Sequence, residues 1–565
     1  MREPGGAKTW RELAIIVLVT VAEFLLNRLK GLGVDHLFGI PGDYILPFFE
    51  AMVASDVEHI ATCNELNGGY AADGYARMRG LGAVAVTYGP GAFSLVNATA
   101  GAYAERVPMV VICGGPPSEA YRTRPHLHHV LPDRYDVSLR IFEQITVAAK
   151  VLDDAARAAQ DIDELLQLCL SERRPIYLEI AQDVQRQAVS RTTDQALETV
   201  SSGDPAATAA AVESLVSKMK AARSCVLLVG HEINTPDLRI AVQSLVDKTG
   251  VPVASVFTGK PDFLENHPRC IGIYHGLGSP QPVREFVEGA DAVVWFGAVA
   301  SDFNMGGSSA NLSDDRTMHV FDGQVKTSDG TFTGVPVADV IDRLLAILPE
   351  GHWAGLDIPM QEFVHTVHRP FEPVADAPIS NQRFFDRIAH FLAPGDVFVA
   401  DSGPSINMAY VQLPPDTRYF ASSYWASIGS GIGFALGACF AAEPGQRVIA
   451  LEGDGAFQMT AQELSTMVRY GKSPIIFVLN NRGYTAERLI HEGPFNDIQD
   501  WDYHRLPEAF GGVCGEDVHT EGDLEAALER AESHTGPGPL MIEVHLDPLD
   551  VSDAFVRMSE GLRSR

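Results

Sequence analysis

The feature that most restricts this chain is a rhythm. Short apolar, β-branched runs, most of them stopped by glycine, alternate with longer stretches of helical periodicity. The runs include AVAVTY (83–88), PMVVICGG (108–115), SCVLLVG (224–230), DAVVWFGA (291–298), DVFVAD (396–401), RVIALEG (447–453) and PIIFVLNN (474–481). Strands that are apolar on both faces, with helices between them, belong to parallel sheets covered on both sides. Polar, proline-containing stretches near 188–207 and 349–380 divide the rhythm into three blocks. The expected fold is therefore α/β: three doubly wound parallel-sheet domains in series, over 20–190, 207–350 and 375–565, behind an N-terminal extension 1–19. A chain of 565 residues is long enough for this, because single cores stop growing at about 250–300 residues.

A net charge of -30 makes nucleic acid an improbable partner, since phosphate binding needs clustered Lys and Arg. Seven cysteines, at 63, 113, 169, 225, 270, 439 and 514, include no CxxC pair, which fits a reducing, cytoplasmic setting and offers no zinc ribbon. The apolar run Leu13 to Thr20 superficially resembles a signal peptide, but Glu23, Asn27, Arg28 and Lys30 follow it. It is shorter than the roughly 20 residues a spanning helix needs. The expectation is an amphipathic first helix from about Val21 and no membrane association.

The chemistry concentrates in GDGAFQMTAQELSTMVRYGKSPIIFVLNN (453–481). RVIALE reads as a strand with Gly453-Asp454-Gly455 at its carboxyl end. Leu464, Met467 and Val468 lie at helical spacing, and PIIFVL is the next strand, ending at Asn480-Asn481. A right-handed βαβ crossover brings both strand ends to one rim of the sheet, where α/β folds bind ligands. Asp454, Asn481 and a backbone carbonyl such as that of Gly483 then form a hard oxygen set of low charge, suited to Mg²⁺. Gly455 and Ala456, at the start of the next helix, let N–H groups approach a phosphate. The inferred ligand is a Mg²⁺-bound diphosphate.

A lone Gly-Asp-Gly is a common turn, but Gly-Asp-Gly followed after 24 residues by Asn-Asn resembles the signature of enzymes that use thiamine diphosphate. The resemblance extends to LFGIPGDYILPFFE (37–50), CNELNGGYAADGYAR (63–77), VTYGPGAFSLVNATAGAYAERVPMVVICG (86–114), LHHVL (127–131), WASIGSGIGFALG (425–437) and NNRGYTAERLIHEGPFNDIQDWDY (480–503). From about Thr20 to its end the chain resembles the thiamine diphosphate-dependent 2-oxo acid decarboxylases. The resemblance implies that 20–190 binds the cofactor's pyrimidine, that 207–350 is a Rossmann-like central domain, and that 375–565 binds the diphosphate and ends in a helix. It implies that Glu65 hydrogen-bonds the aminopyrimidine, that the Ala426 carbonyl receives the amino group, and that Ile428 wedges between the two rings. It also implies that Asp43, His128, His129 and Glu487 handle protons after CO2 has left. Because the two cofactor-binding blocks meet across chains in that family, it implies a homodimer or homotetramer with active sites at the dimer interface.

By themselves these residues read more plainly. Asp43 would be a turn residue, His128 and His129 solvated loop histidines, and Glu487 the first turn of an exposed helix. Two departures from the family pattern stand out. Pro404 has no N–H to offer a diphosphate, which leaves that contact to Ser405, and Pro132 follows the histidine pair in a loop that looks one residue short. Small Ala486, with Ile406 where pyruvate-specific relatives carry tryptophan, enlarges the substrate pocket, with Ile490 expected on its wall and Phe555 or Met558 facing it from the C-terminal helix. The expected reaction is non-oxidative decarboxylation of a 2-oxo acid such as phenylpyruvate or indolepyruvate to an aldehyde. Pyruvate decarboxylation and carboligation are the alternatives. The central block contains no GxGxxG and is read as structural.

Overall fold

A computed structural model describes residues 19–189, 203–260, 262–359, 361 and 363–563. The N-terminal extension, apart from Val19, and most of the first joint lie outside the described residues. Three sheets follow one another along the chain. The first consists of β1 (His36–Gly39), β2 (Glu58–Ala61), β3 (Gly82–Thr87), β4 (Met109–Gly115), β5 (Ala148–Leu152) and β6 (Ile176–Ala181), in the order β2-β1-β3-β4-β6-β5. The second contains β7 (Cys225–Val229), β8 (Val253–Val256), β9 (Cys270–Tyr274), β10 (Ala292–Phe296), β11 (Thr317–Phe321), β12 (Gln324–Thr327) and β13 (Gly330–Thr333). The third contains β14 (Val397–Ala400), β15 (Arg418–Ala421), β16 (Val448–Gly453), β17 (Ile475–Asn480), β18 (Glu516–Val518) and β19 (Leu540–His545).

The third sheet, ordered β15-β14-β16-β17-β19-β18, repeats the strand order of the first, and every pairing in both sheets is parallel. The central sheet is parallel from β9 through β8, β7 and β10 to β11, then ends in the antiparallel hairpin β12–β13. Sequence periodicity missed that hairpin because β13, GTFT, is half or fully exposed and has no apolar run. Where a strand is apolar throughout, it is buried throughout, as in β7 and β10.

The first and third units share one core. The helix Glu65–Arg79 crosses the helix Gly431–Ala441 so closely that a Cβ on Gly74 would meet the Phe434 carbonyl oxygen at 2.3 Å, and one on Gly437 the Ala71 carbonyl at 2.0 Å. That contact explains why a glycine-rich stretch folds as a helix despite the poor propensity of glycine: the backbones pack directly.

The first unit also buries an acid. Glu179, in the middle of β6, is fully buried and takes hydrogen bonds from Tyr121 Oη at 2.6 Å and Tyr177 Oη at 2.7 Å. Burial pushes its carboxyl up to about 7, against the two hydroxyl bonds. The folded chain therefore keeps a proton that the unfolded chain has released. Stability from this group is complete below its unfolded value of 4.5 and is lost as pH rises to about 7. Glu179→Gln should remove a pH dependence on the order of 1 to 3 kcal/mol between those limits, visible as a flatter plot of unfolding midpoint against pH than that of the unmutated protein.

Candidate active site

The third unit forms its site where β14 and β16 diverge to opposite neighbours, at the carboxyl ends of β14, β16 and β17. A cavity of about 330 Å3 opens there. Its lining includes Gly453, Asp454, Gly455 and Ala456 after β16, and Asn481, Gly483, Ala486 and Glu487 after β17. Gly403, Pro404 and Ile406 after β14, with Ile428, complete this part of the wall.

The βαβ unit brings Asp454 and Asn481 together as expected. Asp454 is 1% exposed, and its two oxygens accept from Gly455 N at 2.7 Å and Gly483 N at 3.0 Å. Burial pushes its carboxyl up to about 6, opposed by hydrogen bonds from the backbone of Gly455, Gly483 and Arg482. One end of the Asn481 amide lies 2.9 Å from the Gly483 carbonyl oxygen and 3.3 Å from Asp454 Oδ1, and the other lies 3.0 Å from Thr485 Oγ1. The Thr485 hydroxyl already donates to the Pro548 carbonyl at 2.9 Å, so toward Asn481 it can only accept. With no cation present the reversed amide donates to the Gly483 and Asp454 oxygens; in the arrangement that follows from the Thr485–Pro548 bond its nitrogen faces the hydroxyl and its oxygen faces Asp454 and Gly483. Three oxygens then converge with no proton between them, an arrangement that a cation relieves. Oxygen ligands about 2.1 Å from an octahedral Mg²⁺ lie about 3 Å from one another.

Other expectations fare differently. The Gly455 N–H is turned onto Asp454 rather than toward a phosphate. Ser405 does not line the cavity: it is 3% exposed and its hydroxyl donates to the Ser402 carbonyl at 2.7 Å, the usual local competitor in a first helical turn. In the helix Ser402–Met408 the Ser402 N–H goes to Asp401 and Pro404 has none, which leaves Gly403 on the cavity wall. Ile490 does not line the cavity either. It ends the helix Thr485–Ile490, one turn of about 5.4 Å beyond Ala486. Phe555 does line it, whereas Met558 is packed in the core beside it.

The segment bearing Ala426 and Ile428 is held in an unusual shape. Ala426 has φ of 56°, a region costly for a residue with a Cβ. Two acids that the sequence reading gave no role hold its flanks. Glu105 Oε1 accepts from Tyr424 N at 3.0 Å and Trp425 N at 2.9 Å, while Oε2 takes Arg77 at 2.7 Å. Asp401 Oδ2 accepts from Gly429 N and Gly431 N, each at 2.9 Å. Asp401 stands in the quoted run DVFVAD and Glu105 in AYAERVP, and a carboxylate inside such apolar runs was the available signal. Ile428 is 41% exposed and projects at the cavity.

The first unit assembles a second constellation. Asp43 begins a short helical turn after β1, and its Oδ2 lies 2.8 Å from His128 Nε2. Tyr44 stacks on His128, and the His128 and His129 rings are 4.6 Å apart. His129 has φ of 65°, and its carbonyl lies where a Cβ on Gly89 would meet it at 2.3 Å. Glu65 starts the helix Glu65–Arg79 and is half-buried, less enclosed than its surroundings suggest. None of Asp43, Glu65, His128 and His129 lines the cavity at Asp454, whose lining runs only from Asn381 to Phe555.

The chain matches the model of the thiamine pyrophosphate enzyme N-terminal TPP binding domain over residues 19–138, that of the central domain over 212–341 and that of the C-terminal TPP binding domain over 403–544. It is 36% identical over 549 residues to an alpha-keto-acid decarboxylase of Mycolicibacterium paratuberculosis, covering 95% of this chain and 96% of that one. It is 32% identical over 558 residues to pyruvate decarboxylase isozyme 3 of Saccharomyces cerevisiae, covering 96% and 98%. A thiamine diphosphate-dependent 4-hydroxybenzoylformate decarboxylase of Rhodococcus jostii has a similar structure, with a TM-score of 0.75 over 94% of this chain and 99% of that one; at 21% identity it shows the shared fold alone.

Proposed function

We propose that this chain, which belongs to the thiamine diphosphate-dependent 2-oxo acid decarboxylases, takes an aromatic or branched 2-oxo acid to its aldehyde and CO2, with Mg²⁺ anchoring the cofactor. When bound, thiamine diphosphate supplies the electron sink for the carbanion that CO2 leaves behind, which no side chain can provide. The chain's own residues bind, orient and move protons. The single observation carrying the reading is the cavity that joins an oxygen set for a cation, an apolar wall and the carboxylate of Glu487 in one space.

Asp454, Asn481 and the Gly483 carbonyl would hold Mg²⁺, and Gly403, Gly455 and Ala456 would border the diphosphate. The Ala426 carbonyl would receive the amino group, and Ile428 would support the bent cofactor. The apolar wall of Ile406, Leu546, Val551 and Phe555 beside small Ala486 supports a bulky substrate side chain. Glu487, with the Asp43–His128–His129 constellation brought from elsewhere, would deliver and remove protons around the carbon that loses CO2.

That constellation and Glu65 would come from a second copy of the chain, in a homodimer or a homotetramer built from two such dimers. Supporting this, Tyr424, Trp425, Ile428 and Met459 are 37, 43, 41 and 50% exposed around the site, more apolar surface than a finished active site leaves in water. The divisions 20–190, 207–350 and 375–565 serve as the pyrimidine-binding, central and diphosphate-binding domains. All seven cysteines are unpaired, which supports a reducing, cytoplasmic setting, and among the described residues no helix is long and apolar enough to cross a membrane.

Aldehyde release from phenylpyruvate, indolepyruvate, 2-oxoisovalerate and pyruvate, with cofactor and Mg²⁺ supplied or stripped, tests the reading. Cofactor-dependent turnover favouring the larger acids is expected, and turnover of pyruvate alone would overturn the substrate assignment. Ala486→Leu should cut kcat/KM for the aromatic acids roughly 10- to 200-fold while sparing pyruvate, the range that a methylene-scale change in an apolar pocket commands.

A further inference from the structure

The rim of the third sheet carries a second polar cluster, outside the cavity. Parallel pairing sets Asp517 of β18 opposite Glu543 of β19. Side chains two residues apart on a strand share a face, so His519, just past β18, and His545, at the end of β19, continue the same row. Asp517 Oδ1 lies 2.7 Å from His545 Nε2 and 3.3 Å from His519 Nε2. The two imidazoles are stacked, with centroids 4.0 Å apart and planes 7° apart. Behind them the buried Glu543 has Oε1 3.5 Å from His545 Nε2 and Oε2 2.7 Å from His504 Nδ1.

We propose that His519, His545 and Asp517 bind one Zn²⁺ through the two Nε2 atoms and a carboxylate oxygen, with Glu543 and His504 supporting them from the protein side. Ligand atoms from the three residues all lie within 4.8 Å of one another; because the nitrogen lone pairs of parallel rings do not converge, zinc binding requires one exposed imidazole to turn out of the stack so that both Nε2 atoms face the metal. The donor set decides the metal. Imidazole nitrogens with one carboxylate suit zinc and its neighbours in the transition series, whereas Mg²⁺ prefers the all-oxygen set at Asp454. Bound zinc would tie the edge strand β18 to β19, whose His545 pairs with Asn480, the neighbour of Asn481.

The test is equilibrium dialysis of zinc against the holoenzyme kept saturated with thiamine diphosphate and Mg²⁺, with metal analysis and thermal unfolding on the same samples. The unmutated protein should retain one more zinc per chain than His519→Gln/His545→Gln, and its unfolding midpoint should rise with zinc while that of the double variant stays put. His519→Gln alone leaves β19 intact and should already lose the zinc, which guards against a folding defect in the double variant. Equal zinc uptake by the unmutated protein and both variants, or no uptake by the unmutated protein, overturns the proposal.

Discussion

Asp454→Asn is expected to abolish cofactor-dependent aldehyde release while leaving the fold in place. The substitution keeps volume and one acceptor, so one of the two N–H groups that meet the carboxylate, those of Gly455 and Gly483, stays satisfied. What it removes is the only formal negative charge in the converging oxygen set, and it places an amide N–H₂ either against the Gly483 N–H or among the cation's ligands. Loss of a supporting hydrogen bond at a metal site typically costs roughly 10- to 100-fold in affinity or activity, and loss of the charged ligand itself should exceed that. The measurement is cofactor retention after gel filtration in Mg²⁺, together with the rise in unfolding midpoint that the cofactor gives the unmutated protein. Normal retention by Asp454→Asn would remove Asp454 from the site.

The meeting of Asp454 with Asn481 is legible in the sequence for a definite reason. The Asp454–Asn481 pair sits on two consecutive strand ends, and βαβ handedness fixes where such ends go. The Asp43–His128 contact spans 85 residues and was reachable only through resemblance, because no local pattern encodes the meeting of a turn after β1 with an irregular loop. Residues whose work is to hold backbone left at most the signal of a carboxylate beside an apolar run, which says nothing of what it holds. Ala426 at φ of 56° looks like any alanine in WASIGSG. Its strain is sustained by Glu105 on one flank and Asp401 on the other, more than 20 residues away or in another domain. Ser405 and Ile490, neither of which lines the cavity, depart from expectation for a different reason. Both expectations extend a motif one residue or one helical turn past the point where the helix has rotated or carried the side chain away from the cavity.

The repeated strand order of the first and third sheets gives the division of labour a physical basis. Two units of one topology each present a carboxyl-end rim, and a ligand with two chemically different halves can be held by one rim from each. Within a single chain the two units already share a core through the helices Glu65–Arg79 and Gly431–Ala441. Glu65 opens the first of these helices, and it does not line the cavity at the chain's own Asp454. Its Oε1 lies 3.5 Å from where a Cβ on Gly91 would stand.

Glu65→Gln should therefore fail in a way that a second subunit can rescue. Replacing the carboxylate by an isosteric amide removes a proton acceptor, and kcat should fall roughly 10²- to 10⁴-fold with cofactor binding retained. In a two-fold symmetric dimer whose sites each take Glu65 from one chain and Asp454 from the other, a mixed dimer of Glu65→Gln and Asp454→Asn has both lesions in one site and none in its twin. Coexpression with two affinity tags isolates that mixed dimer, and its activity should be about half that of the unmutated protein. If each chain supplied both residues to its own site, every site in the mixed dimer would carry one lesion, and activity would stay at the level of the inactive parents. Rescue reports on where the two halves meet, independently of which 2-oxo acid the pocket prefers, because any substrate that turns over reads it equally well.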